Sequence, residues 1–174
     1  MAELVLVRPM RSRFIFLSIL LATGVSPTFA ENASVQTLHG TLVPCEIDVP
    51  ATWRVLGTNK GVIAAGGDGA QIMLSSNPRV GDSQVAAREA YEGARQLMPD
   101  AKCSVPQHIT LAGHEWLEYT ITATVEKVPM TFLNYTYSGP EGTFTIIGEV
   151  LTSQFDQKRD MLIHQMRTFR FPKA

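Results

Sequence analysis

The segment from His114 to Glu118 is the part of this sequence that comes nearest to a metal-binding motif. It reads His-Glu-Trp-Leu-Glu, whereas a zinc-protease helix needs a second histidine four residues after the first, so that both share one helical face. The segment alternates in polarity as a β-strand does, and residues four apart in a strand are separated by roughly 13 Å along the chain. One small ion cannot bridge that distance, so we predict no metal site here.

The remaining histidines also lack a catalytic spacing. No pair among them has the HxH or HxxxH separation, and the sequence has no Gly-x-Ser-x-Gly element of the kind that exposes a nucleophilic serine. A Ser-His-Asp triad can assemble from distant segments, so a hydrolase is kept as the third hypothesis, after a binding domain and a ligand carrier. The glycine-rich stretch 66–69 lacks the lysine and helix of a phosphate loop and is predicted to be a hairpin turn. We predict no catalytic residue and no cofactor. The four histidines are His39, His108, His114 and His164.

The two cysteines, Cys45 and Cys103, are predicted to form a disulfide. An even number of cysteines in a small exported domain favours pairing. Closing a loop of this length would stabilise the fold by about 4 kcal/mol on the chain-entropy model. The alternative is a pair of buried free thiols.

Aromatic residues are concentrated in the C-terminal half and supply the candidate binding residues Trp116, Tyr135 and Tyr137. Most of this aromatic area is expected to form the core. Aromatic side chains also dominate binding sites, and Trp116 lies on the polar face of an alternating strand. If exposed, Trp116 is the first candidate contact.

Residues 1–30 are typical of a cleavable secretory signal. Arg8, Arg11 and Arg13 precede an uncharged apolar run over 14–25, and Thr28-Phe29-Ala30 has small residues where a signal peptidase cleaves. Translation starting at Met10 would give a tighter signal. The predicted location is the periplasm or the medium. No later apolar run is long enough to span a membrane, so no stable membrane insertion is expected after cleavage.

Charge is nearly balanced, with 15 Lys and Arg residues against 16 Asp and Glu. Without a basic block, nucleic acid is excluded as an expected partner. Residues 31–174 are predicted to form a single α+β domain with an antiparallel sheet of about six to seven strands covered by helices. The predicted strands lie at about 38–49, 51–58, 62–65, 71–74, 104–111, 116–126, 130–137 and 143–151, the last four forming a meander. The predicted helices lie at about 83–98, with a stripe of Ala86, Ala90, Ala94 and Leu97, and at 154–166.

Three segments resemble the PsbP-like α/β/α sandwich superfamily. The stretch 47–53 resembles its opening strand followed by Pro, a small residue and Trp, and 113–119 resembles its glycine followed by a long alternating strand. The ending 166–171 resembles its closing helix followed by Ser or Thr, Phe, Arg and Phe. All three are scaffold features. The resemblance implies the sandwich fold and a bias towards protein binding, and it transfers no catalytic residue.

These observations predict an exported non-enzymatic domain that binds another cell-envelope protein or assists its assembly. The first alternative is a periplasmic carrier of a small apolar ligand, which would need a pocket of ~300–1,000 Å³ lined by the aromatic residues. The hydrolase would need a histidine beside a carboxylate and a nucleophile in a cleft.

Overall fold

The computed structural model describes residues 34–172, which contain ten strands and two α-helices. The strands are β1 Val35–His39, β2 Glu46–Pro50, β3 Arg54–Asn59, β4 Val62–Gly67, β5 Ala70–Asn77, β6 Lys102–Cys103, β7 Gln107–Leu111, β8 His114–Val125, β9 Val128–Gly139 and β10 Gly142–Leu151. The helices are α1 Ser83–Leu97 and α2 Phe155–Met166, with a 3-10 turn over Thr152–Gln154.

Eight of the strands form one antiparallel sheet. Its spatial order is β3-β4-β5-β10-β9-β8, and both β6 and β7 pair with the outer edge of β8. The strands β1 and β2 pair with each other, and Glu46 of β2 also forms an isolated antiparallel bridge with Arg170. The register places Ala64, Met73, Ile147 and Asn134 side by side across β4, β5, β10 and β9. Each such row is a line of neighbouring side chains on one face of the sheet.

Tight turns set this register. In three hairpins, two consecutive turn residues have positive φ, the geometry of the two-residue turns that match the twist of paired strands. They are Asp68-Gly69, Ala112-Gly113 and Glu126-Lys127. Glycine occupies the second position in two of them, because it adopts positive φ without steric cost.

The helix α1 begins where the sequence predicts. The Asp82 carboxylate accepts hydrogen bonds from the backbone N–H groups of Gln84 (2.7 Å) and Val85 (3.0 Å), which are free donors of the first turn. Its inward stripe differs from the prediction, since Ala87, Tyr91 and Ala94 contact the sheet. Leu97 is 49% exposed. Tyr91 therefore lies on the inward side of the helix, and Ala86 and Ala90 are half-buried on its flank.

Two hydrophobic cores lie on opposite faces of the sheet. On one face, α2 and the β1–β2 hairpin cover side chains of β4, β5, β10, β9 and β8. On the other, α1 covers β8 and β9. Alternate residues of β8 belong to different cores, with Trp116 under α2 and Leu117 under α1. We call these the α2 face and the α1 face.

The chain end is fixed to the α2 face. Thr168 accepts a hydrogen bond from the backbone N–H of Asp48 (2.8 Å). The Arg170 guanidinium contacts the carboxylates of Asp48 (2.8 Å) and Glu46 (2.8 Å). Phe169 and Phe171 point into the core between these polar contacts.

The α+β fold, the four-strand meander, the hairpin turn at 66–69 and both helices are confirmed. The single strand over 38–49 is wrong, because Gly40 and Pro44 interrupt it and the Gly40 N–H donates to the Cys45 carbonyl (2.8 Å), closing a hairpin loop. The 3-10 turn, rather than a side-chain cap, precedes α2. The predicted signal peptide lies outside the described residues. No helix within 34–172 is long and apolar enough to cross a membrane.

Candidate functional site

The three aromatic binding candidates lie in the core of the α2 face. Trp116 and Tyr135 are 0% exposed and Tyr137 is 5% exposed. The Trp116 ring stacks on Tyr137 at a centroid distance of 5.3 Å and meets the edge of Phe169 at 4.9 Å. Burial raises the pKa of the Tyr135 hydroxyl to about 12. None of the three presents a contact surface, so the exposure that would have made Trp116 a contact is not found.

The predicted disulfide between Cys45 and Cys103 is wrong for this structure, in which both are free thiols. The reason is topological: Cys45 belongs to the α2-face core, whereas Cys103 packs against the α1-face core, on the other side of the sheet. Burial raises the pKa of Cys45 to about 11 and also raises that of Cys103. Both thiols are therefore poor nucleophiles at neutral pH.

Three of the four histidines lie beside a glutamate. The nitrogen–oxygen distances are 3.4 Å for His39 and Glu46, 3.0 Å for His108 and Glu115, and 3.6 Å for His114 and Glu141. Within residues 34–172, no Ser, Thr or Cys side chain is hydrogen-bonded to any of these imidazoles. Tyr137 donates to Glu141, and burial raises its pKa to about 12. The three pairs supply an imidazole beside a carboxylate, which are two of the three parts that the hydrolase hypothesis needs.

Metal ligation has no better basis. His114 and Glu118 lie on β8, as the alternating pattern indicates, and Glu118 contacts Arg159 at 3.5 Å. No group of three His, Cys, Asp or Glu side chains in the described part of the chain is placed to hold an ion.

A shallow groove runs along one flank of α1. It has a volume of about 300 Å³, and its apolar lining includes the two rings of Tyr91 and Tyr119. The Tyr119 hydroxyl contacts Thr136 at 3.0 Å, and the Tyr91 hydroxyl donates to the Ala101 carbonyl at 3.3 Å. Both polar groups are thereby occupied internally. The remaining lining residues include Val85, Arg88, Cys103 and Pro106.

The other flank of α1 borders a part of the sheet that lies largely outside the layer formed by α1, which contacts β8 and β9, although Ile147 packs against the edge of the α1-face core. We call this area the open face. It consists of alternate residues from three neighbouring strands, all half-buried. They are Val62, Ala64 and Gly66 of β4, Gln71, Met73 and Ser75 of β5, and Thr145, Ile147 and Glu149 of β10. The Leu56 side chain lies over Gly66 at the outer edge.

Glu149 is the charged residue of the open face. Its neighbours across the strands are Gln71 and Phe132, and the Gln71 amide donates to the carboxylate at 3.2 Å. Desolvation raises the pKa of Glu149. No Lys, Arg or His between residues 34 and 172 lies within ion-pair distance of it. A half-buried carboxylate without a cation is costly, so it marks this face as the candidate functional site.

Sequence reasoning missed this site although a signal was present. The run Thr143–Leu151 alternates large apolar residues with smaller or polar ones. Glu149 is its only charge, directly between Gly148 and Val150. The alternation alone does not show which face a helix covers. The aromatic residues predicted as binding candidates lie in the core of the α2 face instead.

No protein-family model matches the sequence, and no curated protein matches it. Its fold, however, is similar to solved structures. Cyanobacterial PsbP (CyanoP) from Synechocystis superposes with a TM-score of 0.59 at 13% identity, over 85% of this chain and 98% of that one. A protein of unknown function from Pseudomonas aeruginosa, PA94, gives a TM-score of 0.52 at 16% identity, over 82% and 98% of the two chains. The described residues therefore adopt a PsbP-like α+β fold.

Proposed function

We propose that this protein is an exported, non-enzymatic domain that binds another protein of the cell envelope through its open face. The observation that carries the proposal is the uneven covering of the sheet. The α2 face is closed by a helix, a hairpin and the segment after α2, while α1 contacts β8 and β9 of the opposite face and leaves most of the surface of β4, β5 and β10 without a layer. A sheet face that carries apolar side chains is normally buried against another layer. We assign to the partner the layer that would cover the open face.

Export is supported by the pattern of residues 1–30, in which basic residues, an uncharged apolar run and small residues at a cleavage position follow one another. The partner is therefore expected in the compartment to which the domain is exported. The folded domain would then meet it in the periplasm or outside the cell.

Burial removes three groups from the list of candidate nucleophiles and bases. The thiol of Cys45 and the hydroxyls of Tyr119 and Tyr137 have pKa values raised to about 11, 12 and 12. These groups stay protonated at neutral pH, whereas a nucleophile or general base must release its proton near the working pH.

The test is site-specific photocrosslinking in the producing cell. A photoreactive residue replaces Met73 on the open face, and the matched control replaces Val128, which is 41% exposed at the β8–β9 turn. We expect one abundant protein adduct from position 73 and none from position 128. Equal adducts from both positions, or none from position 73, would refute binding through the open face.

The groove beside α1 supports a second candidate, a carrier of a small apolar ligand. Its volume of about 300 Å³ lies at the lower end of the usual range for such sites, ~300–1,000 Å³. The lining is apolar, but its aromatic residues are Tyr91 and Tyr119 rather than the predicted ones. Native mass spectrometry of protein purified from its own envelope fraction tests this. A bound small molecule lost on Tyr119→Ala but kept on Met73→Ala would establish the carrier, and ligand-free protein would dismiss it.

A further inference from the structure

We propose that the open face receives an amphipathic helix of the partner, and that Glu149 pairs with a Lys or Arg within the apolar side of that helix. This inference rests on the proposed function and specifies the chemistry of the partner.

The charge of the site argues for a cation. Glu149 lies between Gln71 and Phe132 in the row that continues to Gly66, so its neighbours across the strands are an amide and a ring. The Gln71 amide supplies one hydrogen bond. A docking partner removes the remaining water from the carboxylate, and a wholly apolar partner would leave a buried, uncompensated charge. A basic side chain brought by the partner supplies the missing charge, and such pairs set the choice of partner.

The shape of the site argues for a helix. The flank of α1 that borders the open face carries small residues at helical spacing, Ala86, Ala90 and Gly93. A Cβ added at Gly93 would meet no atom within 4 Å, so space is open beside the helix. The adjacent row of Ala64, Met73 and Ile147 is apolar. A second helix lying beside α1 would pack on this row and continue the helical layer, with its apolar stripe towards the sheet.

The apolar row also sets the expected pattern of the partner segment. Helix-in-groove recognition uses anchors at positions i, i+3, i+4 and i+7. We expect three or more apolar anchors at this spacing, with one Lys or Arg on the same stripe. An extended segment would instead pair with a free strand edge, and the open face is the surface of the sheet rather than its edge.

The test repeats crosslinking at position 73 in chains that also carry Glu149→Gln. The substitution keeps the size and hydrogen-bonding capacity of the side chain and removes its charge. We expect the adduct to fall at least tenfold, and the crosslinked partner peptide to show the helical pattern with a basic residue. Exchanging the charges, with Glu149→Lys here and the basic residue→Glu in the partner, should restore the adduct. Gln84→Glu, an exposed change on the opposite flank of α1, is the matched control and should leave it unchanged.

The outcomes separate the inference from the proposed function. An adduct that persists undiminished in Glu149→Gln refutes the cation while leaving binding through the open face intact. An adduct with a second copy of this chain, or with a segment lacking helical periodicity, also overturns the inference. Absence of any adduct at position 73 in the parent chain refutes the proposed function itself. A melting temperature of Glu149→Gln at or above that of the parent confirms that a lost adduct does not come from unfolding.

Discussion

The two faces of the sheet are built from the same strands but are completed in different ways. On the α2 face, aromatic rings interlock with α2 and with the end of the chain, and the ionised groups at its margin are paired. On the α1 face, one helix packs Ala87, Tyr91 and Ala94 onto the sheet over β8 and β9, and Glu149 of the open face pairs with no cation among residues 34–172. The α2 face therefore stabilises the fold through a filled core, whereas the open face contributes less because its side chains are only half-buried.

The largest expected effect is at the centre of the closed face. Trp116→Ala should lower the free energy of unfolding by about 3–5 kcal/mol, because it empties a fully buried aromatic site. Met73→Ala on the open face should cost about 1 kcal/mol, because the side chain is only half-buried. Urea unfolding measures both free-energy losses, followed by the fluorescence of Trp53 in Trp116→Ala and of both tryptophans in Met73→Ala. Equal losses would contradict the difference between the faces.

Two glycine-to-alanine substitutions, each adding one methyl group, test the difference between the two faces further. Gly148 lies under α2, where an added Cβ would meet Leu162 at 3.0 Å and Met166 at 3.2 Å. Gly148→Ala should therefore destabilise the fold by about 1–3 kcal/mol through overpacking. Gly93→Ala has open space and improves helix propensity, so it should stabilise by about 0.5–1 kcal/mol. Opposite shifts of melting temperature are the expected result. A loss of stability in Gly93→Ala would mean that the flank of α1 is already covered.

Asp48 represents the paired carboxylates beside the closed face. Hydrogen bonds from Arg170 hold its pKa below the usual 3.8, so its contribution to stability is full above pH 3.8 and disappears as the pH falls through the lowered value. Asp48→Asn should cost about 1 kcal/mol at pH 7, a modest loss because the Arg170 side chain is 42% exposed. Its effect should shrink in acid. Asp160→Asn, at a 95% exposed side chain, is the control and should not change the melting temperature.

Glu149 should show the opposite pH dependence, with the smallest effect of the four. Desolvation raises its pKa above the usual 4.5, so the folded state binds the proton more tightly and stability falls as the pH rises from 4.5 through the raised value. Glu149→Gln should stabilise the free protein by about 0.5–1 kcal/mol at pH 7 and by nothing at pH 4. Thermal unfolding at the two pH values measures this. A destabilised variant at pH 7 would mean that a cation already pairs with Glu149.

Much of the fold could be predicted from local patterns. The alternation over 116–126 predicts a strand because side chains with a period of two point to opposite faces. Asp82 marks the start of α1 because its carboxylate accepts hydrogen bonds from the free backbone N–H groups of the first turn. The disulfide could not be excluded from the local sequence, because the face of the sheet on which Cys45 lies depends on how the β1–β2 hairpin packs against that sheet. Trp116 was misjudged for a related reason: polar neighbours predict a wet face only when no second layer covers it.

The open face could not be predicted because it depends on the lateral position of one helix. The alanine spacing in α1 fits more than one orientation of the helix, and in the one observed Tyr91 packs on the core while Leu97 is exposed. Which strands the helix covers depends on where it lies across the sheet, and the alternating pattern of the strands is the same with or without a helix above them.

The anchoring of Arg170 to Glu46 has a consequence for biosynthesis. These residues are 124 positions apart in the sequence, and Phe169 and Phe171 complete the aromatic core beside them. The closed face therefore cannot be completed before the segment around Phe169 and Arg170 has been synthesised, and contacts of such long sequence separation carry a loop-closure cost that slows folding. The aromatic core of this face is therefore completed only after the segment that follows α2 has been synthesised, rather than strand by strand as the chain emerges.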